Sequence, residues 1–237
     1  MRDRKLHSLA ACAALLLAAV GQSAPAWAAN DPLEGVNRRI HAFNQVTRAR
    51  VLGPLAEFYV SNVPAEVRHG LGNALANLNE PVTALSGLAA GELGLAANAA
   101  ARFGINSTLG LAGVRDRAAE MGYPRRTFGL ADAACRWGMP SGPYLVLPLL
   151  GPSTLRDAGA LAATSAALSQ ALGSDVYLTW RTGEAFVGYA ELHPELERTD
   201  ALSLDPYAVH RSAYLQRRAT ICPTDRVDSQ DGGREEP

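Results

Sequence analysis

The chain has 237 residues, of which 48% are hydrophobic, and a formal net charge of −1 at pH 7. This balance argues against a nucleic-acid partner, because such proteins carry a basic surface that meets the phosphate backbone. The length fits one domain or a compact two-part domain, and no apolar run after the N-terminal leader is long enough for a membrane-spanning helix.

The N-terminal residues have the organisation of a secretory signal. A basic start over residues 2–5 precedes an apolar run, and Ala26-Trp27-Ala28 supplies a small-residue cleavage motif. We therefore predict a signal peptide over residues 1–28 and a mature chain that begins near Ala29. Cys12 resembles a lipoprotein cleavage site, but the apolar run continues past it, which favours ordinary cleavage over lipidation.

Export places the remaining cysteines in an oxidising compartment. Cys135 and Cys222 are the two that follow the leader, so they could form a disulfide, and buried free thiols are the alternative. At the C-terminus, residues 223–237 are polar, charged and glycine-containing, which predicts a disordered tail.

The first element of the mature chain is a strongly signalled helix. Asp31-Pro32-Leu33-Glu34 combines a capping residue, a proline in the first turn and an acid three residues after the cap. Apolar residues then recur at helical spacing, which predicts an amphipathic helix. Its apolar face either packs on a protein core, as such faces usually do, or contacts a membrane. The apolar stripe consists of Leu33, Val36, Ile40, Phe43 and Val46.

Further helices follow, each marked by a proline or a capping residue. Gly53-Pro54 predicts the end of the first helix and the start of the second, and prolines or capping residues open the later ones. The glycines of the Ala-rich segment 82–103 predict either close helix packing or a kinked helix. We find no Asn-Gly hairpin motif, no regular strand alternation and no βαβ rhythm, so we predict an all-α fold. The later helix starts are Pro64, Pro81, Ser153 and Asp205-Pro206.

Residues 137–157 form an apolar segment that glycine and proline interrupt repeatedly. A regular helix or central strand does not tolerate this pattern, which predicts a short extended or hairpin piece around residues 144–149. Such a segment must be buried in protein or face something apolar. We interpret that partner as lipid, with packing inside the protein as the alternative.

The sequence gives little support for an enzyme. The mature chain has no G-x-S-x-G motif, no H-E-x-x-H motif and no Cys/His metal spacing. Its scattered histidines are expected to be solvated or packed surface residues, so we expect no enzyme activity, no cofactor and no metal site. A lipid hydrolase stays an alternative, because a serine and a histidine that are distant in sequence could meet in the fold. The histidines are His41, His69, His193 and His210.

Several sequence blocks, in order along nearly the whole mature chain, resemble those of the MlaA (VacJ) family of outer-membrane proteins. The blocks are Asp31-Pro32-Leu33-Glu34-Gly35-Val36-Asn37-Arg38 with Phe43-Asn44, Asn77-Leu78-Asn79-Glu80-Pro81, Arg102-Phe103-Gly104-Ile105-Asn106-Ser107-Thr108-Leu109-Gly110-Leu111, Phe128-Gly129, residues 137–157, and Ser203-Leu204-Asp205-Pro206-Tyr207 with residues 211–218.

This resemblance implies a helical domain over residues 29–222, formed as a ring of amphipathic helices around a central amphipathic channel. The protein would lie in the inner leaflet of the outer membrane, on its periplasmic side, and associate with a trimeric porin. It would remove mislocalised phospholipids from the outer leaflet and pass them to the periplasmic carrier MlaC, which supplies the inner-membrane transporter MlaFEDB. A porin-associated structural protein without lipid transport is the alternative.

The apolar segment 137–157 is the expected place of the lipid passage, and packing of the same side chains within the ring is the alternative. A phospholipid must keep its headgroup wet and its acyl chains covered, because each exposed methylene costs about 0.8 kcal/mol. We expect the passage to be lined or flanked by Tyr144, Leu145, Val146, Leu147, Leu149 and Leu150, with its backbone shaped by Gly142, Pro143, Pro148, Gly151 and Pro152. Phe43 and Asn44 lie on the first helix, which the resemblance implies helps to control the passage.

Two features depart from the family pattern. Family members are normally lipidated, whereas the leader of this chain favours ordinary cleavage. Residues 130–136 also form a longer link than the family has between Phe128-Gly129 and Trp137-Gly138, and their local structure is not predicted by the resemblance.

Overall fold

The computed structural model describes residues 31–223 and Asp225. The predicted signal peptide and most of the predicted C-terminal tail therefore lie outside the described residues. The elements in chain order are α1 (Glu34–Thr47), a π-helical turn (Arg48–Leu52), α2 (Gly53–Asn62), α3 (Ala65–Asn77), α4 (Glu80–Ala89), α5 (Leu93–Thr108), α6 (Arg117–Glu120), α7 (Leu130–Arg136), β1 (Tyr144–Leu147), β2 (Gly151–Thr154), α8 (Leu155–Leu172), α9 (Ser174–Leu202) and α10 (Pro206–Ile221).

Helix α1 begins at Glu34 with Leu33 in the capping position, so the prediction of Asp31 as the capping residue is wrong by two residues, although Asp31 contacts this end of the helix. The Asp31 carboxylate accepts hydrogen bonds from the backbone N–H of Leu33 at 3.2 Å and from the side chain of Asn37 at 3.0 Å. Gly53-Pro54 does not end this helix: the chain continues through the π-helical turn directly into α2. Pro54 is tolerated there because it lies in the first turn of α2, where its missing N–H would have no partner in that helix.

The Ala-rich segment folds as the pair α4 and α5, which pack closely on each other. Gly91 has φ = +75° in the turn between them, a conformation that glycine adopts without strain. A Cβ atom on Gly87 would lie 2.8 Å from Leu95 Cδ2 and 3.2 Å from the backbone N of Ala96. Glycine at position 87 is therefore what permits this close approach.

The interrupted apolar segment forms an antiparallel hairpin in which Tyr144 pairs with Thr154 and Leu147 with Gly151. This agrees with the predicted extended piece, although the second strand reaches further along the chain. Tyr144 and Val146 are buried and pack with Tyr207 in a small core. That core also holds Ile40, Tyr214 and Leu215.

The contacts between elements close into two circuits that share α8 and α9. One runs through α1, the π-helical turn, α2, α9, α8 and the hairpin, and the other through α9, α3, α5, α4, α7 and α8. The prediction of an all-α, ring-like protein is confirmed, with the hairpin as the one sheet in residues 31–223. Within the same residues, no helix combines the length and the apolar character needed to cross a bilayer.

Candidate functional site

A cavity of about 360 Å³, which we call the ring cavity, lies against four helices of the second circuit, α4, α7, α8 and α9. It lies between α4, α7, α8, α9 and α10, and residues 127–129 complete its wall. Its lining is amphipathic, since apolar side chains share it with charged ones. The apolar members include Val82, Phe128, Leu130, Leu161, Leu168 and Ile221, and the charged members are Asp132, Asp157, Arg181, Glu184, Arg217 and Arg218.

Arg218 organises the charged wall of the ring cavity. Its side chain is 10% exposed, and its guanidinium lies 2.6 Å from a carboxylate oxygen of Asp132 and 3.0 Å from one of Asp157. Tyr214 donates a hydrogen bond to Asp157. Burial, supported by this bond to a carboxylate, raises the pKa of the Tyr214 hydroxyl. These contacts tie α7, α8 and α10 together around the cavity.

A disulfide joins α7 to the end of α10 beside the same wall. Cys135 and Cys222, the pair that the sequence left open, are bonded, with Cα atoms 6.1 Å apart. Arg156 lies against this bond: its guanidinium is 3.1 Å from Asp157 and 2.9 Å from Asp225. Residues 130–136, whose structure the resemblance did not predict, therefore form a helix fixed by covalent and ionic contacts.

Asn37 holds the first strand of the hairpin from α1. Its side-chain amide donates to the carbonyl oxygen of Tyr144 at 3.0 Å, and its amide oxygen accepts from the N–H of Val146 at 2.9 Å. A single buried side chain therefore pairs with the strand as a neighbouring strand would.

Asn44 repeats this arrangement two turns further along α1. Its amide donates to the carbonyl oxygen of Leu147 at 3.0 Å and accepts from the N–H of Leu149 at 2.7 Å. Leu149 lies in the turn after β1 and has φ = +64°, so Asn44 satisfies the N–H of a left-handed residue in the turn. The two asparagines form what we call the asparagine clamp.

His41 lies between the two clamp residues on the buried face of α1. Its ring packs edge-on against Tyr207 and lies 5.4 Å, centre to centre, from the ring of His210. Burial lowers the pKa of His41, and the positive charges of His210 and Arg48 lower it further, while Asp200 and Asp205 act in the opposite direction. Asp200 itself accepts from His210 at 2.6 Å and from Arg48 at 2.7 Å.

The exposure of α1 is inverted relative to a helix on an aqueous protein surface. Its buried residues are Asn37, His41 and Asn44, all polar. Most of the apolar stripe points outward: Val36 and Phe43 are each 54% exposed and Val46 is 53% exposed. The expectation that this stripe packs on a core is therefore wrong except at Ile40, and the alternative of membrane contact gains support.

Other helices show exposed apolar side chains as well. Phe58 of α2 is 67% exposed, as is Leu85 of α4, and Leu93 at the start of α5 is 68% exposed. Large apolar side chains are therefore exposed on several helices besides α1, which is more than single scattered residues would give.

The predicted passage residues range from buried to exposed. Tyr144 and Val146 are buried in the small core, Leu145 and Leu147 are half-buried, and Leu149 and Leu150 are 61% and 62% exposed at the hairpin turn. The residues lining the ring cavity do not include them. Phe43 is exposed, whereas its neighbour Asn44 is buried in the clamp.

The residues predicted to shape the backbone all lie in or beside the hairpin. Gly142 and Gly151 adopt positive φ angles of 69° and 82°. The Pro143 carbonyl accepts from the N–H of Leu155, and Pro152 pairs opposite Val146. Pro148 lies in the exposed turn between the strands.

Sequence reasoning missed the ring cavity and its charged wall. Asp132, Asp157 and Arg218 are far apart in the chain, and no local spacing predicts that their side chains meet. The one available signal was the adjacent pair Arg217-Arg218 within the last block of the family resemblance.

Comparisons with known proteins agree with this structure. A family model described as MlaA lipoprotein matches residues 29–220. The intermembrane phospholipid transport system lipoprotein MlaA of Escherichia coli strain K12 is 32% identical over 232 residues, covering 92% of this chain and 88% of that protein. The protein of the same name from Haemophilus influenzae is 31% identical over 193 residues, covering 79% of this chain and 77% of that protein.

A solved structure shows the same fold. It was reported as "Structural basis for maintenance of bacterial outer membrane lipid asymmetry", is 30% identical in sequence and has a TM-score of 0.72. The similarity covers 81% of this chain and 99% of the solved chain. The chain therefore belongs to the MlaA lipoprotein family.

Proposed function

We propose that this chain is the outer-membrane component of an intermembrane phospholipid transport system. It takes mislocalised phospholipids from the outer leaflet and passes them to the periplasm, and so maintains lipid asymmetry. The observation that carries this proposal is the ring cavity, whose lining combines charged and apolar side chains. The names of the relatives and the subject of the solved structure support it. We also propose that the chain has no catalytic activity.

The ring cavity suits the two halves of a phospholipid. Ligand sites of drug-sized molecules have volumes of roughly 300–1,000 Å³. The cavity, at about 360 Å³, would hold a headgroup and the first part of the acyl chains. Arg218 and its aspartate partners would keep the headgroup in a polar environment, while Leu161 and Leu168 would cover methylenes.

The surface supports a position within one leaflet. The outward apolar face of α1 and the exposed apolar side chains of α2 and α4 would enter the lipid, while the polar clamp stays inside the protein. This favours the inner leaflet of the outer membrane on its periplasmic side. There the protein would contact a trimeric porin and release lipid to the carrier MlaC, which supplies MlaFEDB.

We propose that the hairpin lies beside the passage. Tyr144 and Val146 would support its wall from the small core, and Leu145 and Leu147 would stand next to them. Leu149 and Leu150 would present an apolar turn to lipid that enters or leaves.

Helix α1 would control the passage through the asparagine clamp. Deleting Phe43 and Asn44 removes one clamp residue and turns the rest of α1 by about 200° relative to its start. We expect a mispositioned hairpin, a leaky passage and more phospholipid in the outer leaflet, even when a wild-type copy is present. An unchanged outer leaflet in cells that express both copies would contradict this role for α1.

The direct test of the proposed function is the amount of phospholipid in the outer leaflet of cells that lack this gene. We expect an increase that a restored wild-type copy reverses. No increase would contradict lipid transport and would favour the alternative of a porin-associated structural protein. That alternative also predicts purified protein that binds porin but carries no phospholipid.

A further inference from the structure

We propose that Glu57, His193 and Glu197 form a binding site for a divalent transition-metal ion, with zinc as the best-matched ion. The site would connect α2, which carries Glu57, to α9, which carries the other two residues. It lies away from the ring cavity, and none of the three residues lines that cavity.

The three side chains already lie close together. One ligand atom from each lies within 4.8 Å of the other two, and His193 Nε2 is 3.6 Å from Glu57 Oε1. Two ligand atoms on one zinc ion are about 3 to 4 Å apart, because each bond is about 2.0 to 2.2 Å long. The Glu57 side chain is 70% exposed and Glu197 is also exposed, so small side-chain rotations would close the site.

The imidazole of His193 is oriented so that its Nε2 can bind a metal ion. Its Nδ1 lies 3.0 Å from the hydroxyl of Tyr189, one turn earlier on α9. Its Nε2 is fully buried and has no hydrogen-bond partner among the described residues. When Nδ1–H donates to Tyr189, the lone pair of Nε2 faces Glu57, which is how protein histidines that bind metals are oriented.

The charge around the imidazole favours a cation. Glu57 and Glu197 bring two negative charges, and within residues 31–223 neither forms an ion pair with an arginine. Arg48, which is close to Tyr189, pairs instead with Asp200 at 2.7 Å. A bound divalent ion would neutralise the two carboxylates and bind to His193 Nε2, which lies 3.6 Å from Glu57 and has no hydrogen-bond partner among the described residues.

The donor set and the backbone fit such an ion. Imidazole with two carboxylates suits zinc and its neighbours in the first transition row better than calcium or magnesium. Three protein ligands leave a fourth position for water. Glycine at position 53 leaves room for the ring, because a Cβ there would lie 3.1 Å from His193 Cε1.

The ion would have a structural effect on the ring, because the contact between α2 and α9 closes the first circuit. The expectation of no metal site followed from the lack of local Cys/His spacing. His193 and Glu197 are four residues apart and so lie on one face of α9. Glu57 comes near them only through the fold, which the local sequence does not predict.

The test is zinc binding to the untagged full-length mature chain in detergent, measured by equilibrium dialysis and by calorimetry. We expect one saturable zinc ion per chain. Glu57→Gln and Glu197→Gln should each weaken binding by about tenfold or more, since each removes a charged ligand. Glu195→Gln is the matched control: this exposed glutamate on the same helix pairs with Arg198 and should leave the affinity unchanged.

His193→Ala should abolish the site. Because His193 packs against Gly53 and Tyr189, this variant could also fail to fold, whereas the two glutamate variants change exposed side chains. Zinc should also raise the melting temperature of the wild type but not that of Glu57→Gln. Failure to bind zinc at one ion per chain, or equal affinity in the wild type, Glu57→Gln and Glu197→Gln, would overturn the proposal.

Discussion

At the scale of single residues, the asparagine clamp shows how polar side chains can replace a missing strand. The first strand of the hairpin has its neighbour on one side, and α1 lies on the other. Asn37 and Asn44 each satisfy one carbonyl and one N–H there. Unpaired groups in a buried strand would be costly, so the position of α1 and that of the hairpin depend on each other.

Replacing Asn44 with alanine should destabilise the protein by about 1 to 3 kcal/mol. The change leaves the carbonyl of Leu147 and the N–H of Leu149 without their partner. The measurement is the free energy of unfolding by denaturant in detergent. Gln45→Ala is the control, because the side-chain amide of Gln45, the next residue, makes no hydrogen bond among the described residues. Equal stability of the two variants would show that the clamp has no energetic role.

His41 should make stability depend on pH. Its pKa is lowered from 6.5 in the folded protein, so the unfolded chain binds a proton more readily in the range just below that value. Stability should therefore fall as the pH decreases from 7 to about 5, and His41→Gln should reduce this loss. Melting temperatures at the two pH values test this prediction, and identical pH dependence of both proteins would contradict it.

At the scale of elements, α1 shows what periodicity can and cannot predict. The spacing of Val36, Phe43 and Val46 correctly predicts one apolar face on a helix that begins near Asp31. It does not say which face is buried, because that depends on whether the surroundings are water or lipid. The polar residues Asn37 and Asn44 face the protein because they bond the backbone of the hairpin, while Ile40 alone of the apolar stripe packs against the small core that contains Tyr144 and Val146.

Some helix boundaries were predictable from the sequence and others were not. Asp205-Pro206 predicts the start of α10, and the Asp205 carboxylate accepts from the N–H of Ala208 as expected. The prediction that Gly53-Pro54 ends the first helix is wrong, because a π-helical turn lets the chain continue where proline usually ends a helix. The charged wall was not predictable for a different reason: Arg218 and Asp132 become neighbours only through tertiary packing.

The disulfide should stabilise the contact between α7 and α10. It closes a loop with a sequence separation of 87 residues, for which removal typically costs about 2 to 4 kcal/mol. We therefore expect the double variant Cys135→Ala, Cys222→Ala to unfold at lower denaturant concentration than the wild type. Reductant should lower the stability of the wild type and leave that of the double variant unchanged. A wild type that is insensitive to reductant would contradict this assignment.

At the scale of the whole molecule, two circuits of contacts share α8 and α9, and each contains different parts of the proposed transport site. The first circuit contains α1, the clamp and the hairpin, which carry the exposed apolar side chains proposed to contact lipid. In the second, α4, α7, α8 and α9 line the ring cavity together with α10. Because α8 and α9 belong to both, a displacement of α1 would reach the cavity through the hairpin and α8.

The central claim is that phospholipid passes through the ring cavity, and the most direct measurement blocks that cavity. Thr164 lines it from α8, while Ala162 on the same helix is exposed and lies outside it. Each is replaced by tryptophan in cells that lack the native gene, and outer-leaflet phospholipid is measured at equal protein levels. We predict that Thr164→Trp leaves phospholipid as high as in the deletion, whereas Ala162→Trp restores the wild-type level. Full restoration by Thr164→Trp would contradict the claim.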